Sequence, residues 1–451
     1  MDMESRETDI IRNTVQSIFE CVKEKVPAPL DLSSIYMAPS SLRDLSPSSF
    51  DPRVVSIGPL HRDDANVQAF EEQKATFVAD LLIRLESSPE QTLEACVHKV
   101  IVSIDRTKAC YAGIKDYSDI DFAKIMVMDA CFILEFMCKV YERSQASSFL
   151  KTTSHFLKRP VENTNILLEQ SIYYDLVLLE NQIPLFVLND IFECTIMKFE
   201  PFATLFNFIA PIFEFLNLFE AKLNFPDIST ITYSDHILGL LHKCYKPPDN
   251  NKSSDFPSST IYSVVELDRA GVNFQPNRDE EWPLAIKVRN MFPCFPLPWC
   301  KPVLRMPVLR INHFTELVLR NLIAYEQSSR DHHSYVTSYA IAMDMLINTK
   351  DDVSMLVESA VLINHMGSNE EAANMMNKIC KEVAWWHFLY SKEWKILSRY
   401  CNGYWPKKVA WLRRTYFNSP WNIIALVAGV VLFALTVIQT LYAIKPAGNN
   451  S

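Results

Sequence analysis

Phe122-Ala-Lys-Ile-Met-Val-Met-Asp129-Ala-Cys-Phe-Ile-Leu-Glu135-Phe-Met-Cys-Lys-Val140 is apolar on nearly every side of a helical wheel. Such a segment is expected of a helix closed in on all faces by other elements. Its polar exceptions carry the information. Glu135 and Lys139 stand four apart in the favourable order, which predicts a pair along the helix. Asp129 falls in the stripe formed by Ile125, Ile133, Phe136, Met137 and Val140. A carboxylate there needs a partner from another part of the chain.

Working outward, the helical period dominates. Val67, Phe70, Phe77, Val78, Leu81, Leu82 and Leu85 form one stripe, and Ile10, Ile11, Val15, Ile18, Phe19, Val22 and Val26 another. Val97, Val100, Ile101 and Ile104 suggest a further helix. Ser144 to Asn165 is more polar and reads as a loop or short insert. Next comes Asp175-Leu-Val-Leu-Leu-Glu180-Asn181-Gln182-Ile183-Pro184, which predicts two apolar helices with a tight break before Pro184. Glu180, Asn181 and Gln182 are placed to cap the helix ends exposed there.

Residues 246–260, with Pro247, Pro248, Asp249, Asn250 and Asn251, read as a mobile surface loop. Beyond it Gly271 can end a helix, and Val272–Phe274, Leu284–Val288 and Val308–Ile311 are candidate short strands. The prolines between them argue against a large sheet. Ser368 and Glu371 have capping-box spacing and precede a long stripe from Ala372 through Ile379, Trp386 and Trp394 to Leu397.

The chain has 451 residues, 49% of them hydrophobic, with a net charge of −9. Its cations are dispersed, so nucleic acid is not an expected partner. Only eight glycines occur, and the nearest pair is Gly429 and Gly448. Phosphate-cradling loops need clustered glycines, so the dinucleotide, P-loop, kinase and hydrolase-elbow motifs are absent. Eleven scattered cysteines, without a C-x-x-C pair, read as reduced thiols. No cofactor or metal is expected. His236, His242 and Cys244, and separately Cys294 and Cys300, only loosely approach ligand spacing.

The stretch from Trp421 to Ile444 carries no charge. At about 1.5 Å per residue, a helix of this length covers a roughly 30 Å hydrocarbon layer. Lys407, Lys408, Arg413, Arg414 and the interfacial Trp421 flank its start, and Lys445 follows it. This asymmetry places the large N-terminal part in the cytosol and the short tail 445–451 across the bilayer. The plasma membrane or an endomembrane is the expected location. Asn251-Lys252-Ser253 is a glycosylation sequon that would report the opposite orientation. Ala425 and Gly429 allow close helix approach, so a homo-oligomer is among the expected partners.

Candidate chemistry is sparse. In Gly58-Pro59-Leu60-His61-Arg62-Asp63-Asp64, His61 is a candidate acid or base and Arg62 a candidate anion clamp, against the plainer reading of a charged turn. Asp129, Asp175 and Glu180 are candidates for a convergent carboxylate site, against the plainer reading of buried groups that tie helices together.

Pro52-Arg-Val-Val-Ser-Ile-Gly-Pro59-Leu-His61, Met128-Asp-Ala-Cys-Phe-Ile-Leu-Glu135 and Asp175 to Pro184 together resemble the plant family known as domain of unknown function 247. Ala270-Gly-Val-Asn-Phe274, Arg320-Asn-Leu-Ile-Ala-Tyr-Glu-Gln327, Thr337-Ser-Tyr339 and Pro420-Trp421 extend the match in family order. The resemblance implies a plant protein with one C-terminal membrane helix and no activity established for the family as a group. Some members are tied genetically to pollen self-recognition in grasses. The family commonly places a second histidine and a glycine after the first, where this chain has Arg62 and Asp63.

The expected fold is mostly α: a helical domain over 1–415 with a few short strands, then one transmembrane helix at 421–444. The expected function is a membrane-anchored, non-catalytic recognition or scaffold protein, in signalling or self-recognition, with an unknown protein partner besides the bilayer. The alternative is a cryptic hydrolase or transferase using His61, Asp129, Asp175 and Glu180.

Overall fold

The computed structural model describes residues 11–17, 19, 33–85, 87–147, 166–226, 232, 235–248, 262–278, 282–290, 302–328, 334–384, 387–403 and 420–444. The fold is mostly helical with a few short strands. Its contacts group the chain into two compact units, each built from non-contiguous stretches. The first comprises Met1–Met37, Pro52–Ile209 and Asp227–Ile237. The second comprises Ala38–Asp51, Ala210–Pro226 and Leu238–Ser451.

The first unit is organised around the segment quoted above. Its principal helices are α1 (Glu71–Arg84), α2 (Pro89–Val102), α3 (Asp119–Ser147), α4 (Ile166–Asp175) and α5 (Leu185–Cys194). In α3, Phe122, Met126, Ala130, Phe132, Ile133 and Met137 are buried, as its all-round apolar pattern requires. Helices α1, α2 and α5 each pack on it. The α1 stripe supplies Val78 and Leu81 to this core, and the Phe70, Phe77 and Phe132 rings meet at 5.0–6.4 Å. Full burial of such side chains stabilises by about 1.5–3 kcal/mol each.

Three expectations in this unit need correction, the first being the apolar helix with a tight break before Pro184: α4 ends at Asp175, and residues 176–184 are not helical. Glu135 does not pair along its own helix with Lys139. The Arg84 guanidinium of α1 grips Glu135 through two bonds of 2.6 and 2.8 Å, and Lys139 reaches Asp80 at 2.8 Å. A planar fork from a neighbouring helix outcompetes a flexible ammonium one turn away. Helix α3 also runs on to Ser147, past the expected loop start at Ser144.

The second unit contains α6 (Ile237–Cys244, of which Ile237 is grouped with the first unit) and α7 (Val264–Ala270). A three-stranded sheet follows: β1 (Asn273–Pro276), β2 (Lys287–Asn290) and β3 (Pro302–Met306), in the order β1-β3-β2. β3 runs parallel to β1 and antiparallel to β2. Then come β4 (Leu309–Ile311), α8 (Thr315–Ser328), α9 (Tyr335–Leu346), α10 (Lys350–Glu358), β5 (Leu362–Asn364), α11 (Asn369–Ile379) and α12 (Ser391–Cys401). β4 and β5 form a separate parallel pair.

β1, β2 and β4 fall at the three expected strand positions, with β2 beginning at Lys287 rather than Leu284, whereas β3 and β5 were not foreseen. Gly271 ends α7 in the left-handed region at φ 99°, and Ser263 with Glu266 forms a capping box at its start. Ser368 accepts from Glu371 N–H at the start of α11. The stripe from Ala372 to Leu397 is two helices rather than one, α11 and α12, with Glu382 at φ 57° between them.

Helix α13 (Pro420–Ile444) spans 25 residues at the expected place. Its described large apolar side chains are exposed, Phe433 at 72% and Leu432 at 64%. Thr436 and Thr440 return their hydroxyls to the carbonyls one turn back, Leu432 O and Thr436 O. Among the described residues no helix is long and apolar enough to cross a membrane, and the uninterrupted run of described side chains in α13 covers only 427–441. Lys407, Lys408, Arg413, Arg414, the Trp421 side chain, Asn251, most of the 246–260 loop and the tail lie outside the described residues.

Candidate functional site

Three of the sequence stretches singled out above meet inside the first unit. Pro52–His61 forms a strap whose backbone groups find side-chain partners instead of a neighbouring strand. Asp175, the last residue of α4, accepts from the N–H groups of Arg53, Val54 and Val55 at 2.8, 2.8 and 2.9 Å. Asn181 continues the ladder. Its Oδ1 accepts from Ile57 N–H at 2.6 Å, and its Nδ2 donates to Val55 O and to Asp175 O. Gln182 Nε2 donates to Leu176 O and Leu178 O at 2.8 and 2.7 Å. Asn181 and Gln182 thus satisfy carbonyls left open where α4 ends.

Asp129 closes the next part of the strap. One carboxylate oxygen accepts from Gly58 N–H at 2.7 Å, and the other meets Lys74 Nζ at 2.6 Å. Lys74 also donates to Ser56 O at 2.7 Å and pairs with Glu71 at 2.8 Å. Lys74 and Asp129 are both 0% exposed. Burial pushes the Asp129 carboxyl upward, and the Lys74 ammonium opposes it. Gly58 takes φ 79°, and a Cβ there would lie 2.4 Å from Gln182 O. Only glycine fits that approach.

His61 ends the strap. Its Nδ1 lies 2.6 Å from Asp64 and its Nε2 2.9 Å from Glu180. Both carboxylates accept, so the ring satisfies both only as imidazolium. Burial by itself disfavours that cation, but the hydrogen bonds to Glu180 and Asp64 prevail, and the pKa is raised. Arg62 pairs with Glu71 at 2.7 Å and approaches Asp129 at 3.9 Å. Burial lifts the Asp175 carboxyl to about 6, against the pull of its three amides.

This arrangement decides what the four candidate residues can do. His61 and Glu180 touch each other, while Asp129 and Asp175 hold different parts of the same strap. All four are buried, with His61 the most open at 4% exposure. General base catalysis needs a ring nitrogen free to take a proton within reach of a substrate position. Both nitrogens of His61 are committed to carboxylates. The four groups converge on a backbone segment rather than on a common ligand position. A surface groove in the second unit, lined in part by His313, Glu316, Glu371 and Lys378, contains none of them.

The second unit has a related centre that the sequence did not announce. Glu326 of α8 accepts from Val336 N–H and Thr337 N–H at 2.9 and 2.7 Å, and from the Thr337 hydroxyl at 2.5 Å. It therefore caps the start of α9 with a buried carboxylate. His242 Nε2 meets Glu326 at 2.8 Å, and its Nδ1 meets the Tyr335 hydroxyl at 2.8 Å. His242 is thus engaged away from any metal role, and His236 Nε2 is engaged by Ser34 O at 3.1 Å. Among the described residues no group of His, Cys, Asp and Glu is arranged to hold a metal ion. Eight cysteines are described, all as free thiols, while Cys294 and Cys300 lie outside the described residues.

Comparison with known proteins places these segments in a wider context. Residues 35–435 match a family described as "Plant protein of unknown function", DUF247. UPF0481 protein At3g47200 of Arabidopsis thaliana is 27% identical, over 91% of this chain and 86% of the relative. Putative UPF0481 protein At3g02645 of Arabidopsis thaliana is 22% identical, over 90% of this chain and 89% of the relative. No solved structure matches the chain.

Proposed function

The chain belongs to the DUF247 family of plant proteins, and on that premise we propose that it is a membrane-anchored, non-catalytic recognition or scaffold protein. The observation that carries the proposal is α13, a 25-residue helix whose described large apolar side chains are exposed. Exposed apolar surface of this extent is costly in water and stable in hydrocarbon. The sequence from Trp421 to Ile444 contains no Asp, Glu, Lys, Arg or His that would oppose insertion.

The non-catalytic part of the proposal is supported by the closed polar centre of the first unit. His61, Asp129, Asp175 and Glu180 are engaged with backbone amides, with Lys74 and with one another. Buried groups with such partners specify a fold. Helical surfaces presented at a bilayer then serve to bind other proteins.

Proximity labelling in plant tissue tests this function. The full chain is compared with a chain ending at Ser419. Partners lost from the shorter chain support presentation at a membrane, and an identical partner set from both refutes it.

A further inference from the structure

The surface groove of the second unit has a volume of about 510 Å³, which falls in the range of small-molecule sites, about 300–1,000 Å³. Its walls come from two strand–helix units that run side by side. β4 and β5 are parallel, and His365 N–H donates to Ile311 O at 2.8 Å where the two strands end. The chain passes into α8 after β4 and into α11 after β5, and these helices pack on each other. His313 lines the groove just beyond β4, and Met366 and Ser368 line it just beyond β5. The groove therefore lies at the carboxyl ends of parallel strands, where strand–helix units commonly take ligands.

Its charges are sorted by position. Glu371, Asn374, Met375 and Lys378 recur at i, i+3, i+4 and i+7, so one face of α11 forms a wall. Lys378 stands seven residues beyond Glu371, about 10 Å along the helix axis at about 1.5 Å per residue. The Glu371 carboxylate lies over Gly367 at the strand end, where a Cβ would come 3.2 Å from its Oε2, and Glu370 adds a second acid there. Towards the other end, Arg320 Nη2 donates to Lys378 O at 3.1 Å and Nε donates to Glu316 at 2.8 Å, so Glu316 already has its counter-charge. Glu370, Glu371 and Lys378 are exposed, and among the described residues their charged groups have no hydrogen-bond or ion-pair partner. Met375 sits between the two ends on α11, and its thioether and that of Met366 offer an adaptable apolar surface.

We propose that this groove binds a short peptide of about three residues with both termini free, its ammonium against Glu370 and Glu371, its carboxylate against Lys378 and its central side chain against Met366 and Met375. Three extended residues at about 3.3–3.6 Å each span about 10 Å, which matches the separation of the charged ends. A single amino acid is too short to reach both. Charge at each terminus selects the ligand, and the thioethers accept a range of central side chains. The site lies wholly within the second unit and is independent of α13 and of the membrane reading.

Isothermal titration calorimetry of the full chain in detergent, with the tripeptide Ala-Leu-Ala as the probe, tests the site. Saturable binding is expected. N-acetylation or C-amidation of the peptide is expected to weaken it at least about tenfold, because each removes one charge-assisted contact, and free leucine is expected to bind at least about tenfold more weakly as well. Lys378→Glu is expected to bind the amidated peptide at least as well as the free acid. A chain carrying Glu370→Gln and Glu371→Gln is expected to lose its preference for the free amine over the acetylated peptide. All three side chains are exposed and unengaged, so the thermal unfolding of both variants is expected to match that of the parent chain. Absence of saturable binding overturns the site. Equal affinity for capped and uncapped peptides, or variants that keep the parent preferences, also overturns it. Tighter binding of putrescine than of Ala-Leu-Ala overturns the peptide and assigns the groove to small diamines.

Discussion

Asp129→Asn is the substitution whose cost the structure defines most sharply. It keeps a carbonyl oxygen of the same size for Gly58 N–H but removes the charge 2.6 Å from Lys74 Nζ. Both side chains are fully buried, so the ammonium loses the nearer and fully buried one of its two carboxylates and keeps Glu71 at 2.8 Å. Removing one member of a buried pair costs about 3–5 kcal/mol, and the retained carbonyl puts this case near the lower end, about 3 kcal/mol. Lys74→Met alone is expected to cost a similar amount, because the Asp129 carboxylate then keeps only Gly58 N–H and a distant Arg62. The double variant removes both charges. Its remaining defect is chiefly the Ser56 carbonyl that Lys74 served, worth about 1 kcal/mol. The two substitutions should therefore compensate, with a coupling of at least about 2 kcal/mol. Urea unfolding of the full chain in detergent gives the energies, and amide exchange at Arg53 to Gly58 reports whether the strap is the part released. A single Asp129→Asn cost below about 1 kcal/mol, or strictly additive single and double variants, would refute the buried-pair account.

Three further outcomes follow from the same geometry. Asp175 has a folded pKa of about 6, above its usual value, so its contribution to stability is full at low pH and is lost as pH rises through about 6. The His61 pKa is also raised, so its contribution is full below the ordinary histidine range and is lost at higher pH; Asp175→Asn should flatten the acid part of the stability profile by up to about 3 kcal/mol and leave the His61 part in place. Gly58→Ala combines φ 79° with a contact 2.4 Å from Gln182 O and should destabilise by more than about 2 kcal/mol, measured as a loss of exchange protection at strap amides. Glu326→Ala leaves Val336 N–H, Thr337 N–H and His242 without their acceptor and should cost about 2–4 kcal/mol, with exchange quickening first at the start of α9.

The features legible in the sequence are those set by local chemistry. The all-round apolar run announced α3, Gly271 announced the end of α7, and the proline at 184 announced the start of α5, although α4 ends at Asp175 and residues 176–184 are not the helix expected before a tight break. Asn181 and Gln182 announced caps because their side chains reach carbonyls within their own turn. Features set by other parts of the chain were hidden. Asp129 visibly required a partner, and Lys74 stands on the apolar stripe of its own helix with Phe70, Phe77, Val78 and Leu81, but nothing local links the two until α1 is laid against α3. Glu135 offered a plausible local partner, and the stronger one came from Arg84, 51 residues away in sequence. Strands β3 and β5 are short, and their pairing with distant segments leaves no periodic mark. Of the strap-holding residues, Asp129 and Asp175 are visible as buried polar groups and Asn181 as a cap; their common target, the backbone from Pro52 to His61, becomes visible only once the helices are placed.

The claim on which the proposed function depends is that α13 is embedded in lipid, and extraction of native plant membranes with alkaline carbonate tests it most directly. The full-length chain is predicted to stay in the pellet while a chain ending at Ser419 moves to the supernatant. Release of the full-length chain into the carbonate supernatant would contradict the account.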